Sequence, residues 1–281
     1  MSLKAKLLLG ILSLIKNIIN MKIFKILLLL PYILFSQNQE IGLVKYNYKI
    51  PRKKTLIKNS YLYFNNNKTI FIYNKEGMDI DNSGVKTNNE GAISMSFKTS
   101  DKIGTQFYRD FNKKQISYRH AKTTLFNAFT VEDTWIKINW KIKNKFKKIG
   151  NYKCQKAVGD FRGRKYTAWF TEEIPLQYGP WKLFGLPGLI LEAEDSEKMF
   201  VAKFKEIKYP CDCDFNFEKP KAEESKTLKE YVEFRDNHND YVFRKIKSRL
   251  SRNTGVTIRQ NPKSKDGRKY RDEKTFEWEE K

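Results

Sequence analysis

The sequence predicts a mainly β fold: a single curved antiparallel sheet, as a half-barrel or open barrel, followed by a C-terminal helical segment. Three observations carry that expectation. Apolar and polar residues alternate at period two through much of residues 42–207. Turn-forming clusters such as Asn65-Asn66-Asn67 and Gly150-Asn151 separate the alternating runs. A helical spacing emerges only after residue 223. With 281 residues, 40% of them hydrophobic and 14% aromatic, the chain has enough apolar material for a packed core, which excludes a disordered protein.

Residues 1–36 read as a targeting segment. They hold five lysines and no acids among nearly unbroken Leu and Ile. Met21-Lys22-Ile23-Phe24-Lys25, the apolar run Ile26–Phe35 and the small Ser36 match the three parts of a secretory signal peptide, with Met21 as a second candidate start. That run is shorter than the roughly 20 residues a membrane-spanning helix needs. The protein is therefore expected to be exported, to the periplasm or outer cell envelope. No Cys lies near Ser36, so a lipid anchor is not expected.

Charge narrows the partners. The chain carries a formal +23, and losing the five lysines of the leader leaves +18. The remaining lysines are spread among Asn and Ile residues, without zinc-finger spacing, an arginine-rich arm or an aromatic RNP-type strand, so no nucleic-acid partner is expected. A solvated basic surface, with peripheral contact to anionic lipid or polysaccharide, fits better.

Residues 37–222 form the β domain. Gly42–Ile50 sets Val44, Tyr46, Tyr48 and Ile50 on one side and lysines and asparagines on the other. Tyr61–Phe64 and Thr69–Tyr73 follow across the three-Asn turn, and the polar stretch Glu76–Gly91 reads as a loop. Ile93–Phe97, Gln106–Phe111 and Gln115–Arg119 are further short strands. Ile136–Phe146 alternates Ile136, Ile138, Trp140 and Ile142 with polar residues, and a turn at Gly150-Asn151 leads to Tyr152–Asp160. Lys165–Thr171, Leu189–Ala193 and Met199–Ile207 complete the series. Residues 223–250 are a helical appendix, broken at Asn237-His238-Asn239, and 251–281 a basic, loose tail.

The densest signal lies between these strands. After Phe161-Arg162-Gly163-Arg164 and Thr167-Ala168-Trp169-Phe170-Thr171 come Gly179-Pro180 and then Gly185-Leu186-Pro187-Gly188-Leu189-Ile190. Leu186-Pro187-Gly188-Leu189 suits a type II turn with Gly188 at positive φ. Trp181, Leu183, Phe184 and Leu186 make the connecting segment so apolar that it must be buried in the fold or must meet a ligand or partner. In the second case Trp169, Trp181, Phe184, Leu186, Pro187 and Leu189 are the binding residues, and the occupant is an apolar ligand or an outer-membrane protein.

This hexapeptide and its flanks resemble the signature of the GLPGLI family of exported bacterial proteins, whose function is generally unassigned. The resemblance implies export and a β-rich module without naming an activity. A weaker, fold-level similarity to LolA-like and RseB-like periplasmic carriers implies a concave sheet face that holds acyl chains.

Catalytic patterns are scarce. Glu192, Glu194 and Asp195 are expected to be solvated or ion-paired near Arg162 and Arg164, with Glu192 or Glu194 as acid or base of a hydrolase the less favoured reading. No nucleophile elbow, phosphate loop or His-Glu-x-x-His helix is present, and His120 and His238 stand apart, so no enzyme is expected. No cofactor or metal is expected either, because Cys211-Asp212-Cys213-Asp214 lacks the second Cys pair of a zinc site. In an oxidising compartment one disulfide should form. Only Asp212 separates Cys211 from Cys213, so the expected bridge joins Cys154 to one of them.

Overall fold

A computed structural model describes Lys16 and residues 40–50, 56–73, 75, 85–87, 93–95, 101–123, 126–249, 268–269 and 271–279. The chain divides into two compact units, Met1–Glu40 and Ile41–Lys281. The leader expected in residues 1–36 falls almost wholly outside the described residues.

The second unit is mainly β, as the alternating pattern predicts. Strands β1 (Gly42–Ile50), β2 (Leu56–Phe64), β3 (Lys68–Tyr73), β6 (Thr105–Asp110), β7 (Gln115–His120) and β8 (Phe129–Asp133) build one half of a sheet. β9 (Lys141–Ile149), β10 (Tyr152–Phe161), β11 (Arg164–Thr171), β12 (Leu189–Asp195) and β13 (Val201–Lys208) build the other. With β14 (Glu224–Thr227) they form one open twelve-stranded sheet in the order β14-β8-β7-β6-β3-β2-β1-β13-β12-β11-β10-β9. Every pairing is antiparallel except β14 on β8. β4 (Val85–Thr87) and β5 (Ile93–Met95) pair separately, so part of the Glu76–Gly91 stretch is strand rather than loop.

The sheet curls. β8 and β10 stand nine positions apart in its order, about 43 Å across a flat sheet at ~4.8 Å per strand. Yet Asp133 at the end of β8 lies 2.7 Å from Arg162, the residue after β10. The enclosed space is filled by the chain itself: one cluster runs from Val44 and Val131 to Ala157 and Leu191.

Two short helices follow, α1 (Leu228–Asp236) and α2 (His238–Arg249), with Asn237 between them as the sequence suggests. α1 begins five residues later than the helical spacing alone places it. Thr227 caps it, accepting from Glu230 N–H while the Glu230 carboxylate accepts from Thr227 N–H. Leu228, Tyr231 and Val232 then turn inward, and Tyr231 meets Tyr118 edge to face at 5.1 Å.

Three expectations need correction. Residues 136–140 are not strand, although they alternate. Ile138 and Trp140 cross over Gly159 of β10, where an added Cβ would lie 2.8 Å from Ile138 Cγ2 and 2.9 Å from Trp140 Cε3. Their alternation records packing on a glycine saddle, and the ladder starts at Lys141. Strands β8 and β14 were not legible in the sequence. The tail is not loose throughout, because residues 268–269 and 271–279 dock on the sheet, as described next.

Candidate functional site

The segment between β11 and β12 enters the curl of the sheet. Trp181 is 1% exposed and packs on Phe107, Phe161, Tyr166 and Phe200 with ring centroids 5.2–6.4 Å away. Leu183, Phe184, Leu186 and Leu189 are also buried. Four of the six residues expected at a binding mouth (Trp181, Phe184, Leu186, Leu189) are thus core, because so apolar a connection gains most by leaving water. Pro187 is exposed and Trp169 half-buried.

The glycines explain the motif differently from the expected turn. Positive φ occurs at Gly185 (91°) and Trp181 (53°), and Gly188 is not among the positive-φ residues. Gly188 is needed for close approach, since a Cβ there would sit 2.0 Å from the Thr171 carbonyl oxygen. Arg109 of β6 fastens the same segment. Its Nη2 donates to Gly179 O at 2.8 Å, Nη1 to Leu183 O at 3.0 Å and Nε to Thr69 Oγ1 at 3.1 Å. Burial pulls its pKa down to about 9, which leaves it charged at neutral pH. Replacing Arg109 by Met should cost about 2–3 kcal/mol in chemical denaturation, because two buried carbonyls lose their donors.

A second fastening is ionic. The β10–β11 hairpin turns through Arg162 (φ 43°) and Gly163 (φ 75°), a two-residue type I′ geometry that favours glycine at the second position. It sends Arg162 into a cluster with Asp133, Lys182 and Glu273, each side chain no more than 3% exposed. Lys182 Nζ lies 2.6 Å from Asp133 and 2.8 Å from Glu273. Burial alone would lower the Lys182 pKa, but the two carboxylates outweigh it and the net shift is upward. Burial would raise Asp133, yet Lys182 and Arg162 hold it down at about 2. The lysine stays protonated and the aspartate ionised, so neither is poised to exchange a proton near neutral pH.

Glu273 belongs to the tail expected to be loose. Tyr166 donates its hydroxyl hydrogen to Asp272 O at 2.6 Å, Arg164 Nη2 donates to Lys269 O at 2.6 Å, and Lys274 N–H donates to Arg162 O at 2.9 Å. Asp236 of α1 binds Arg268 and Arg271. Phe276 is 5% exposed under the Arg162 guanidinium. Residues 268–269 and 271–279 form a strap that seals the ionic cluster.

The carboxylates expected near Arg162 and Arg164 are ion-paired, but of Glu192, Glu194 and Asp195 only Asp195 pairs with one of those arginines. Asp195 lies 2.6 Å from Arg164, Glu192 binds Lys147 and Glu194 binds Lys198. His120 is stacked on Phe129, and burial pushes its pKa down to about 4. Among the described residues, no group of three or more His, Cys, Asp or Glu is placed to hold a metal.

The disulfide differs from the expected one. Cys211 is bonded to Cys213, and Cys154 is a buried free thiol. Cys211 N–H donates to Ile41 O beside β1, whereas Cys154 lies on β10 beyond β13, β12 and β11. Cys154 is enclosed in the core cluster, whereas Cys211 and Cys213 stand half-buried on the segment after β13.

One accessible feature is the β9 end of the sheet. β9 is its last strand and pairs only with β10 among the described residues. The first six residues of β9 are all exposed, among them Ile142 (47%) and Phe146 (50%), in a strand with five lysines (Lys141, Lys143, Lys145, Lys147 and Lys148). Lys153 Nζ sits 4.8 Å from the Phe146 ring, and Lys147 Nζ 4.5 Å from the half-buried Trp169. Sequence reading missed this edge because alternation marks a strand without saying whether it is central or last.

Comparison with known proteins finds a short match to a family of unknown function. A family described as "Protein of unknown function (Porph_ging)" matches residues 162–192, the stretch from the Arg162 hairpin through the buried segment. No curated protein matches the chain. Among solved structures, PNGF-II in its P21 crystal form is 16% identical, covering 73% of this chain and 34% of its own, with a TM-score of 0.45. The C2 form gives 16%, 73%, 33% and 0.46. An uncharacterized conserved protein from Thermus thermophilus gives 9% identity, 68% and 92% coverage and a TM-score of 0.30. The chain spans about a third of the length of PNGF-II, and likenesses this distant carry no argument about activity. The LolA-like similarity finds no support among them.

Proposed function

We propose that this protein is a non-catalytic module of the bacterial cell envelope that docks onto an acidic, extended segment of an envelope protein through β9. The leader-like pattern in residues 1–36 supports export. One observation carries the docking reading: the exposed Ile142 and Phe146 stand among five lysines on the terminal strand of an open sheet. A free strand edge offers backbone donors and acceptors to an added strand. Lysines on that edge repel a second copy of this basic chain and favour an acidic occupant. An apolar ligand inside the sheet would instead have to displace Trp181 and its neighbours.

The test uses the full chain and a soluble peptide of alternating Glu and Val, with anionic vesicles and an anionic polysaccharide as parallel probes. Peptide affinity should fall at least tenfold in Asn144→Pro, which places a proline within the exposed strand, and in Phe146→Asp, and should weaken as salt rises. Equal binding of all three probes, indifferent to Asn144→Pro, would leave only a diffuse basic surface and overturn the docking mode.

A further inference from the structure

We propose that the Cys211–Cys213 bridge is a thiol–disulfide exchange site that oxidises peptide or protein dithiols. A structural disulfide acts by closing a loop in the unfolded chain, and its effect grows with loop length. Cys211 and Cys213 are two residues apart, so this bridge closes a minimal loop and joins no second element to the first. Its segment is already held without it. Cys211 N–H donates to Ile41 O at 2.7 Å, Tyr209 packs on Phe64 at 5.4 Å and Phe215 stacks on Tyr63 at 3.8 Å. The bridge is therefore mounted on a fixed segment whose position does not depend on it.

Access also favours chemistry. Both cysteines are half-buried rather than enclosed, alternating with the exposed Asp212 and Asp214. Cys154 is the reverse case, fully enclosed, with burial pushing its thiol up to about 11.

In the exchange, a substrate thiolate attacks the Cys213 sulfur, and the Cys211 sulfur leaves with the bonding electrons and takes up a proton. The second substrate thiolate then attacks the substrate sulfur of the mixed disulfide, and Cys213 leaves in turn as a thiolate that is protonated. The substrate loses two electrons and two protons, and the pair gains both. Each chain completes one such exchange from its own disulfide.

The test incubates the oxidised full chain with a two-cysteine peptide and follows both partners by mass spectrometry after alkylation. One peptide disulfide should form per chain, at least tenfold faster than with oxidised glutathione at the same concentration. Alkylation should appear at Cys211 and Cys213 while Cys154 stays unmodified. Cys211→Ser, which leaves Cys213 as a lone thiol with no bond to exchange, should form no peptide disulfide, and reduction should leave the thermal midpoint of the wild-type chain unchanged. Exchange no faster than with glutathione, three free thiols in the purified protein, or a midpoint that drops on reduction would each overturn the proposal.

Discussion

Asp133→Asn should destabilise the protein by about 3–5 kcal/mol, although the side chain keeps its shape. The substitution removes one of two buried carboxylates facing two buried cations, Arg162 and Lys182. An unpaired charge in such a site costs far more than the intact pair contributes. Removing the opposing cation as well should therefore recover much of the loss. In urea denaturation, Asp133→Asn combined with Lys182→Met should cost about 1–3 kcal/mol less than the sum of the single substitutions. Strict additivity would mean that the two groups do not share one electrostatic site.

The same cluster sets an acid limit. Asp133 has a folded pKa of about 2, below the unfolded value of about 3.9. The unfolded state therefore binds the proton more readily. The stabilisation is fully present above about pH 4 and is lost as pH falls toward about 2. Wild-type stability should drop across that window, and Asp133→Asn should flatten the drop.

Trp181→Ala is the second large effect, also at about 3–5 kcal/mol, from lost burial and the cavity left among Phe107, Phe161, Tyr166 and Phe200. Trp169→Ala provides the contrast. That ring is half-buried beneath Lys147, so its loss should cost about 1 kcal/mol, of which a cation–π contact is a large part. Comparable losses for the two tryptophans would contradict the placement of the motif segment inside the sheet.

The two tryptophans also show where sequence reading succeeds and where it stops. Both stand in apolar surroundings and both sit near turn residues, so composition cannot tell the core ring from the surface ring. Local rules worked where the cause is local. Period two located β1 residue for residue, and the helix break at Asn237 followed from residues beside it. They failed where the cause is remote. The alternation of Ile138 and Trp140 answers to Gly159, about twenty residues on. Asp133 and Glu273 have no local signal at all, because their meaning is a pairing with Arg162 over 29 and 111 residues. The motif itself was legible, but its purpose was not. Gly188 serves an approach to Thr171 O, which only the packed chain reveals.

Together these features assign the motif segment to the interior, and the proposed function makes β9 the docking edge. Hydrogen exchange on the full chain, with and without the acidic Glu/Val peptide, tests that division most directly. Amides of residues 141–149 that face away from β10 should exchange at least tenfold more slowly with peptide bound, while residues 174–188 and the strap stay unchanged. Protection centred on 174–188, with β9 unaffected, would place the binding surface at the motif segment and contradict the account.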